Sequence, residues 1–356
     1  MFAKVQSPQK VTSEELDDYL HHGWFRMGQT IFTTNFLNFK NNFYSAIWLR
    51  LDLARYEADR TQEKLFKRNA HFRVTIKPAQ VSVAHEILYG KYKSSLSFEP
   101  SASLNALLFG RSPYQIFNTQ EVNVYDGDKL IAAGFFDLGK NSAAGISSFY
   151  DPDYKKYSLG KYLIYQKIGF CKQQGLRYFY PGYFVPGYSF FDYKLGIGNS
   201  VLEYLALASG EWLPIAKFTP GHHPLEVMKD KLLSVHELLN QFQIENKILM
   251  YEYFDANLVP GLTEAELLDF PLILWCESLE NDGMTSLVVY DIGTECYKLV
   301  QCISVWSSGS PNNPDEFYSS HLLKIISELF SSKAPQAMAE NLAMIVKEKI
   351  SRTSPD

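Results

Sequence analysis

Residues 121–150 read EVNVYDGDKLIAAGFFDLGKNSAAGISSFY, and residues 151–180 continue DPDYKKYSLGKYLIYQKIGFCKQQGLRYFY. Glu121–Tyr125 alternates as a strand does, Asp126-Gly127 is a strong hairpin turn, and Lys129–Leu138 resumes as strand. A second turn at Gly139-Lys140-Asn141 leads into a third strand, Ala143–Tyr150. A loop over 151–157 precedes a helix that begins near Ser158. Its positions Leu159, Tyr162, Leu163, Ile168 and Phe170 give one buried face, with Gln166 the exception. Gly175 ends the helix, and Leu176–Tyr180 starts another strand. The order strand, strand, strand, helix, strand predicts an α+β domain, an antiparallel meander joined to one crossover unit.

The flanks are read outward from this block. Residues 13–21 form a short helix that Ser13 can cap and Gly23 terminates. Strands are expected at Gln29–Thr33 and Ala46–Leu53, a basic helix at Arg60–Asn69, and a strand through Phe72, Val74 and Ile76. Residues 80–109 read as mostly helical. Pro220-Gly221-His222-His223-Pro224 punctuates the chain like a boundary. Beyond it come a helix (225–241), strands (246–254, 272–276, 285–291, 296–305) and helices (314–330, 335–350). The stretch Ser308–Pro314 is a loop without a chemical motif. The expected division is therefore 1–110, 111–220 and 221–356, the last a small α+β unit.

Composition bounds the function. The chain has 356 residues, 46% of them hydrophobic, which excludes a disordered or fibrous protein. Its net charge of −5 argues against a protein that coats nucleic acid, since such binding needs many cations on phosphates. The four cysteines, Cys171, Cys276, Cys296 and Cys302, have no zinc-ligand spacing and fit a reducing compartment. The first residues lack the apolar run of a signal peptide, and no stretch approaches the length of a membrane span. The expectation is a cytoplasmic protein with no metal and no membrane partner.

Four features carry chemistry, each with a bland reading beside it. Backbone N–H groups at the junction Lys155–Lys161 can bind an anion at a helix start; equally, Ser158 caps the helix and Gly160 allows close packing. Residues 149–193 hold ten tyrosines and six phenylalanines, which either line a cleft or pack a core. Between Arg55 and Lys77, seven Lys/Arg against three acids leave a local +4, either a phosphate-tracking patch or a solvated helix face. Asp151 and Asp153 can accept a proton from an amine, or simply build an Asp-Pro-Asp turn.

The succession of elements is typical of the GNAT acyltransferase fold, a central mixed, mostly antiparallel sheet flanked by helices. Taken together, the motifs resemble those of the arginyl-tRNA–protein transferase family of the N-degron pathway. The resemblance rests on Phe149–Tyr154 with Ser158, Leu159, Gly160 and Tyr162, and on Tyr178–Tyr183 followed by Tyr193-Lys194. It rests also on Gly23–Gln29, which includes Arg26, Gly28 and Gln29, and on Arg60–Lys64 with Lys67–Asn69. These motifs lie in family order over roughly residues 13–215. Family members usually carry an N-terminal cysteine cluster; here no cysteine precedes Cys171, so no metal-linked regulation is expected.

The resemblance implies transfer of arginine, or another amino acid, from charged tRNA to the N-terminal amine of a protein with an acidic first residue. It implies no cofactor beyond the aminoacyl-tRNA. Tyr150, Asp151 and Asp153 are the catalytic candidates, the two aspartates to orient or deprotonate the amine. Ser158, Leu159 and Gly160 would receive the ester oxygen on backbone N–H groups. Arg26, Gly28, Gln29, Arg60, Gln62, Lys64 and Tyr183 are candidates for binding tRNA or the acceptor. Two alternatives are an N-acyltransferase using acetyl-CoA on the same fold and a non-catalytic relative that binds protein N-termini.

Overall fold

The computed structural model of the chain describes residues 2–353 apart from 40–41, 97–99, 111, 113, 282–283, 308–316 and 319–320. The chain opens with β1 (Ala3–Gln6), α1 (Ser13–His21), β2 (Phe25–Met27) and β3 (Thr30–Thr34). There follow β4 (Phe36–Phe39), β5 (Asn42–Ser45), β6 (Ile47–Asp52), α2 (Arg60–Asn69) and β7 (Arg73–Pro78). Helices α3 (Val83–Lys93) and α4 (Leu104–Phe109) precede the meander β8 (Thr119–Asp126), β9 (Lys129–Leu138) and β10 (Ser142–Tyr150). Residues 152–157 wind into a 3-10 turn, and α5 (Leu159–Gln173) returns the chain to β11 (Tyr178–Phe184). Strands β12 (Leu202–Ala206) and β13 (Glu211–Pro214) close this part.

Eight strands form one sheet in the order β13-β12-β6-β11-β10-β9-β8-β7, in which only β10 and β11 run parallel. This is the mixed, mostly antiparallel α+β architecture expected. The sheet takes β6 and β7 from before residue 110 and β8 to β13 from after it, so that expected boundary crosses a single sheet. Alternation along β9 sorts the two faces. Ala132 and Phe136 pack with Leu159 and Leu163 of α5 and Leu65 of α2. Ala133 and Phe135 pack with Leu88 of α3 and Leu104 of α4. A three-stranded sheet, β1-β3-β2, and α1 share that second face through Trp48, Ala144 and Tyr180.

The C-terminal part contains α6 (Pro224–Gln241), β14 (Lys247–Tyr251), β15 (Leu272–Asn281), β16 (Met284–Asp291) and β17 (Cys296–Ser307). It ends with β18 (Phe317–Tyr318), β19 (His321–Ser332) and α7 (Pro335–Thr353). Its strands make a second sheet in the order β18-β14-β15-β16-β17-β19. Met228, Leu232, Val235 and Leu239 place one face of α6 in its core, beside Met338 and Leu342 of α7.

Two expectations are corrected. The helix expected at 314–330 is strand β19 from residue 321 on. Leu322, Leu323, Ile325, Ile326 and Leu329 satisfy helical spacing, but pairing along β17 wins. Residues 308–316, with the expected Ser308–Pro314 loop, lie outside the described residues. Helix α1 is capped by Thr12 rather than Ser13, in a capping box with Glu15.

Candidate functional site

The site begins where two strands part. β10 and β11 pair only from Ser142–Ala144 to Tyr178–Tyr180. Beyond that point each strand follows its other neighbour through an extra residue. β10 shifts register against β9 between Gly145 and Ser147, and β11 shifts against β6 between Phe179 and Gly182. The local sequence accounts for this. Pro181 has no N–H to give to a ladder, and Gly182 has a φ of +87°, which glycine adopts at no steric cost.

The resulting gap opens to both faces of the sheet. On the α3 side lies a cavity of about 590 Å³, lined by Phe25, Trp48, Tyr89, Tyr92, Phe149 and Tyr183 among others. On the α5 side a cavity of about 110 Å³ is lined by Ile164, Lys167 and Phe179. Gly145–Ser148, Pro181, Tyr193 and Lys194 border both. Ser147 Oγ is buried there without a hydrogen-bond partner. Two cations, Arg26 and Lys194, line the larger cavity, and no carboxylate does among the described residues.

Three side chains frame the gap. Arg26 Nη1 donates to Asp137 Oδ1 at 2.9 Å and to Thr119 Oγ1 at 2.8 Å, and Nε donates to Gly28 O at 2.6 Å. Its other terminal nitrogen reaches Leu108 O. Lys167, fully buried on α5, donates to Phe135 O at 3.0 Å, Ser147 O at 2.6 Å and Ser148 Oγ at 3.0 Å. It crosses β9 at Gly134, where a Cβ would lie 2.9 Å from Nζ. Lys194 is 8% exposed and donates to Tyr183 O at 2.6 Å. Burial pushes each of these two lysines down to about 7.

The expected site residues divide into three groups. Arg26, Gly28 and Tyr183 line the larger cavity. Gln29 stands behind them, donating to Leu108 O at 2.7 Å and accepting from Ile116 N at 2.7 Å, which ties the β2–β3 turn to α4. Tyr150, Asp151, Asp153, Ser158, Leu159 and Gly160 do not line it. Asp151 accepts from Lys91 at 2.6 Å and Lys129 at 2.9 Å. Burial would raise its carboxyl, but these two ammonium groups outweigh it and hold it at about 2. A group so acidic is a poor base, and its geometry is that of a turn-holder. Asp153 is exposed and shares Lys91.

Ser158 stands at the N-cap of α5 in the left-handed conformation, φ +53°, but its side chain makes no cap hydrogen bond, so the reading of its hydroxyl as the cap does not hold. Leu159 is buried in the core, and the ring of Tyr150 lies beside Gly160, where a Cβ would meet it at 3.4 Å. Gln62 is likewise structural, accepting from Tyr56. Arg60 and Lys64 are exposed on α2. Arg68 donates to Lys156 O at 3.1 Å and Asn69 to Tyr157 O at 3.1 Å, which brings α2 beside Lys155 and Lys156 as one basic face.

Sequence reading missed Lys167 and Thr119, and it missed Asp137 as the partner of Arg26. Lys167 had a signal: it follows Leu159 and Leu163 at four-residue intervals, on the apolar stripe of α5. Lys194 is marked in the sequence only by the Tyr193-Lys194 pair, and nothing periodic around it signals burial.

The mixed sheet thus parts at its parallel pair, and an aromatic and cationic cavity fills the gap. Residues 59–202 match the profile described as arginine-tRNA-protein transferase, C terminus. An aspartate/glutamate leucyltransferase of Leptospira interrogans is 28% identical over 193 residues, covering 52% of this chain and 73% of the relative. One from Campylobacter jejuni is 29% identical over 157 residues, 41% of this chain and 63% of the relative. Among solved structures, the ribosomal-protein-S18-alanine N-acetyltransferase of Escherichia coli aligns with a TM-score of 0.23 and 16% identity, over 29% of this chain and 63% of that one. Over residues 59–202 the chain is thus similar to the arginine-tRNA-protein transferase family, and it is an aminoacyltransferase.

Proposed function

We propose that this chain transfers leucine from leucyl-tRNA to the N-terminal amine of proteins that begin with aspartate or glutamate. One observation carries the reading: the larger cavity is aromatic and aliphatic, holds two cations, and has no carboxylate among the described residues. An arginine donor side chain entering it would bury a guanidinium without an acidic partner, whereas a leucine side chain needs only apolar walls. An acidic acceptor suits Lys194, which has no carboxylate partner among the described residues. Arginine, the donor expected from the family resemblance, is set aside on this ground, and the names of the relatives support leucine.

The chemistry asks little of the protein. The acceptor nitrogen attacks the ester carbonyl carbon, the new C–N bond forms, the C–O bond to the terminal ribose breaks, and the amine proton passes to the leaving oxygen. The ester is already activated, so alignment and oxyanion stabilisation suffice without an enzyme nucleophile or cofactor. The unpartnered Ser147 hydroxyl in the gap is a donor for the developing oxyanion. Tyr92 and Tyr193, partly exposed where they line the cavity, offer ring surface for the terminal adenine. The basic face of α2 with Lys155 and Lys156 supplies phosphate contacts.

Purified protein is incubated with leucyl-, phenylalanyl- or arginyl-tRNA and peptides beginning with Asp, Glu or Ala. Leucine transfer to the acidic peptides is expected to exceed arginine transfer at least tenfold. Arginine transfer equal to or above leucine overturns the donor assignment. No transfer from any tRNA, with thermal stabilisation by acetyl-CoA instead, overturns the function.

A further inference from the structure

We propose that Lys194 reads the side-chain carboxylate of the acceptor's first residue; the assignment rests on the acidic-acceptor reading above and names the residue behind it. The other cations near the gap are committed. Arg26 is neutralised by Asp137, and its guanidinium also donates to Thr119, Gly28 O and Leu108 O. Lys167 spends all three N–H groups on Phe135 O, Ser147 O and Ser148 Oγ. Lys91 and Lys129 pair with Asp151 and do not line the cavity.

Lys194 differs from all of these. Its ammonium makes one hydrogen bond, to Tyr183 O, and two N–H groups remain without a protein acceptor. The rest of its surroundings are the rings of Tyr183 and Phe191, with centroids 5.2 and 5.0 Å from Nζ. It borders both cavities, so its free donors stand in the gap through the sheet. Gly182 keeps the approach open, since a Cβ there would come within 3.2 Å of Nζ. A buried cation with spare donors and no counter-ion is costly when the site is empty, and it gains most from an incoming carboxylate. The depressed lysine pKa, about 7, is the sign of that missing counter-ion. An acceptor carboxylate bound here holds its own α-amine beside Ser147 and the strand gap, where the ester must lie.

The test compares kcat/KM for a peptide beginning with Asp and its isosteric Asn counterpart. In the unaltered enzyme the Asp peptide is favoured. Lys194→Met is expected to lower the Asp/Asn ratio by about 10–100-fold, the range of a lost charged hydrogen bond, mainly through KM for Asp. Lys194→Arg is expected to restore part of the ratio. An unchanged ratio in Lys194→Met overturns the proposal, while failure of the unaltered enzyme to transfer at all would instead sink the proposed function. A second measurement needs no variant. A water-soluble carbodiimide with an N,N-dimethylated Asp peptide is expected to form an amide to Lys194, located by mass spectrometry. An adduct at Lys91, Lys129 or another lysine in its place overturns the proposal.

Discussion

Arg26 and Asp137 are both almost fully buried, and each would be expensive alone in that setting. Together with Thr119, which donates to Asp137 Oδ1 at 2.6 Å, they fasten the Gly23–Gln29 segment to the end of β9. Arg26 therefore lines the cavity without offering it a free charge. Asp151 is held differently, by two exposed lysines that keep its carboxylate ionised. Its folded pKa of about 2 lies below the ~3.9 of an unfolded aspartate, so the native state binds fewer protons in that window. Its contribution is complete above about pH 4 and is lost as pH falls toward 2. Asp151→Asn is expected to cost about 1–2 kcal/mol near pH 6, with the gap from the unaltered protein closing between pH 4 and 2. Urea unfolding at a series of pH values measures this; a gap that stays constant down to pH 2 contradicts it.

At the level of elements, the gap depends on three strands acting together. β11 carries the Pro181-Gly182 break, β10 carries the bulge, and β9 keeps a glycine where Lys167 passes. Lys167 accordingly pins Ser147, the first residue paired after the bulge, from the far face of the sheet. Gly134→Ala puts a methyl 2.9 Å from Lys167 Nζ and 3.0 Å from Ser147 O, and the second of these is backbone. The expected result is a loss of about 1–3 kcal/mol in stability, by the ordinary cost of overpacking, and a larger proportional loss of transfer activity as the gap deforms. Thermal unfolding and initial rates on the same sample test it. A variant with native melting and native rate would show that β9 plays no part in shaping the site.

Over the whole molecule, the two sheets are joined by the N-terminal segment. Phe2, Phe36 and Phe43 belong to the core of the C-terminal sheet, although they precede it by some two hundred residues. Asp269 accepts from the backbone N–H of Phe2 and of Ala3, at 3.2 Å for the latter, which fixes β1 to the C-terminal unit. Residues 221–356 are thus continuous with the packing that supports β1-β3-β2 and, through β2, one wall of the cavity. A chain ending at residue 222 is expected to aggregate or to melt several degrees below the full chain, because three phenylalanines lose their cover. Equal melting by calorimetry would mean that the transferase part is self-sufficient.

The sequence determined the local structure where a single period or turn signal decides it. The Asp126-Gly127 hairpin, the Arg60–Asn69 helix and the succession from β8 to β11 were legible because strand alternation and helical spacing act over a few neighbouring residues. The ordered motifs also carried the resemblance that the match over residues 59–202 bears out. The strand at 321–332 was not legible, since its apolar spacing suits a helix equally and only the partner β17 decides. Nor was the site legible: Asp151 and Asp153 carried the expected chemistry in sequence, yet ion pairs hold them outside the cavity. Arg26, Gly134, Ser147, Lys167 and Lys194 meet through contacts across strands and a helix far apart in the chain. Burial and counter-ion supply set what a lysine or aspartate can do, and both are properties of the packed fold rather than of the residue type.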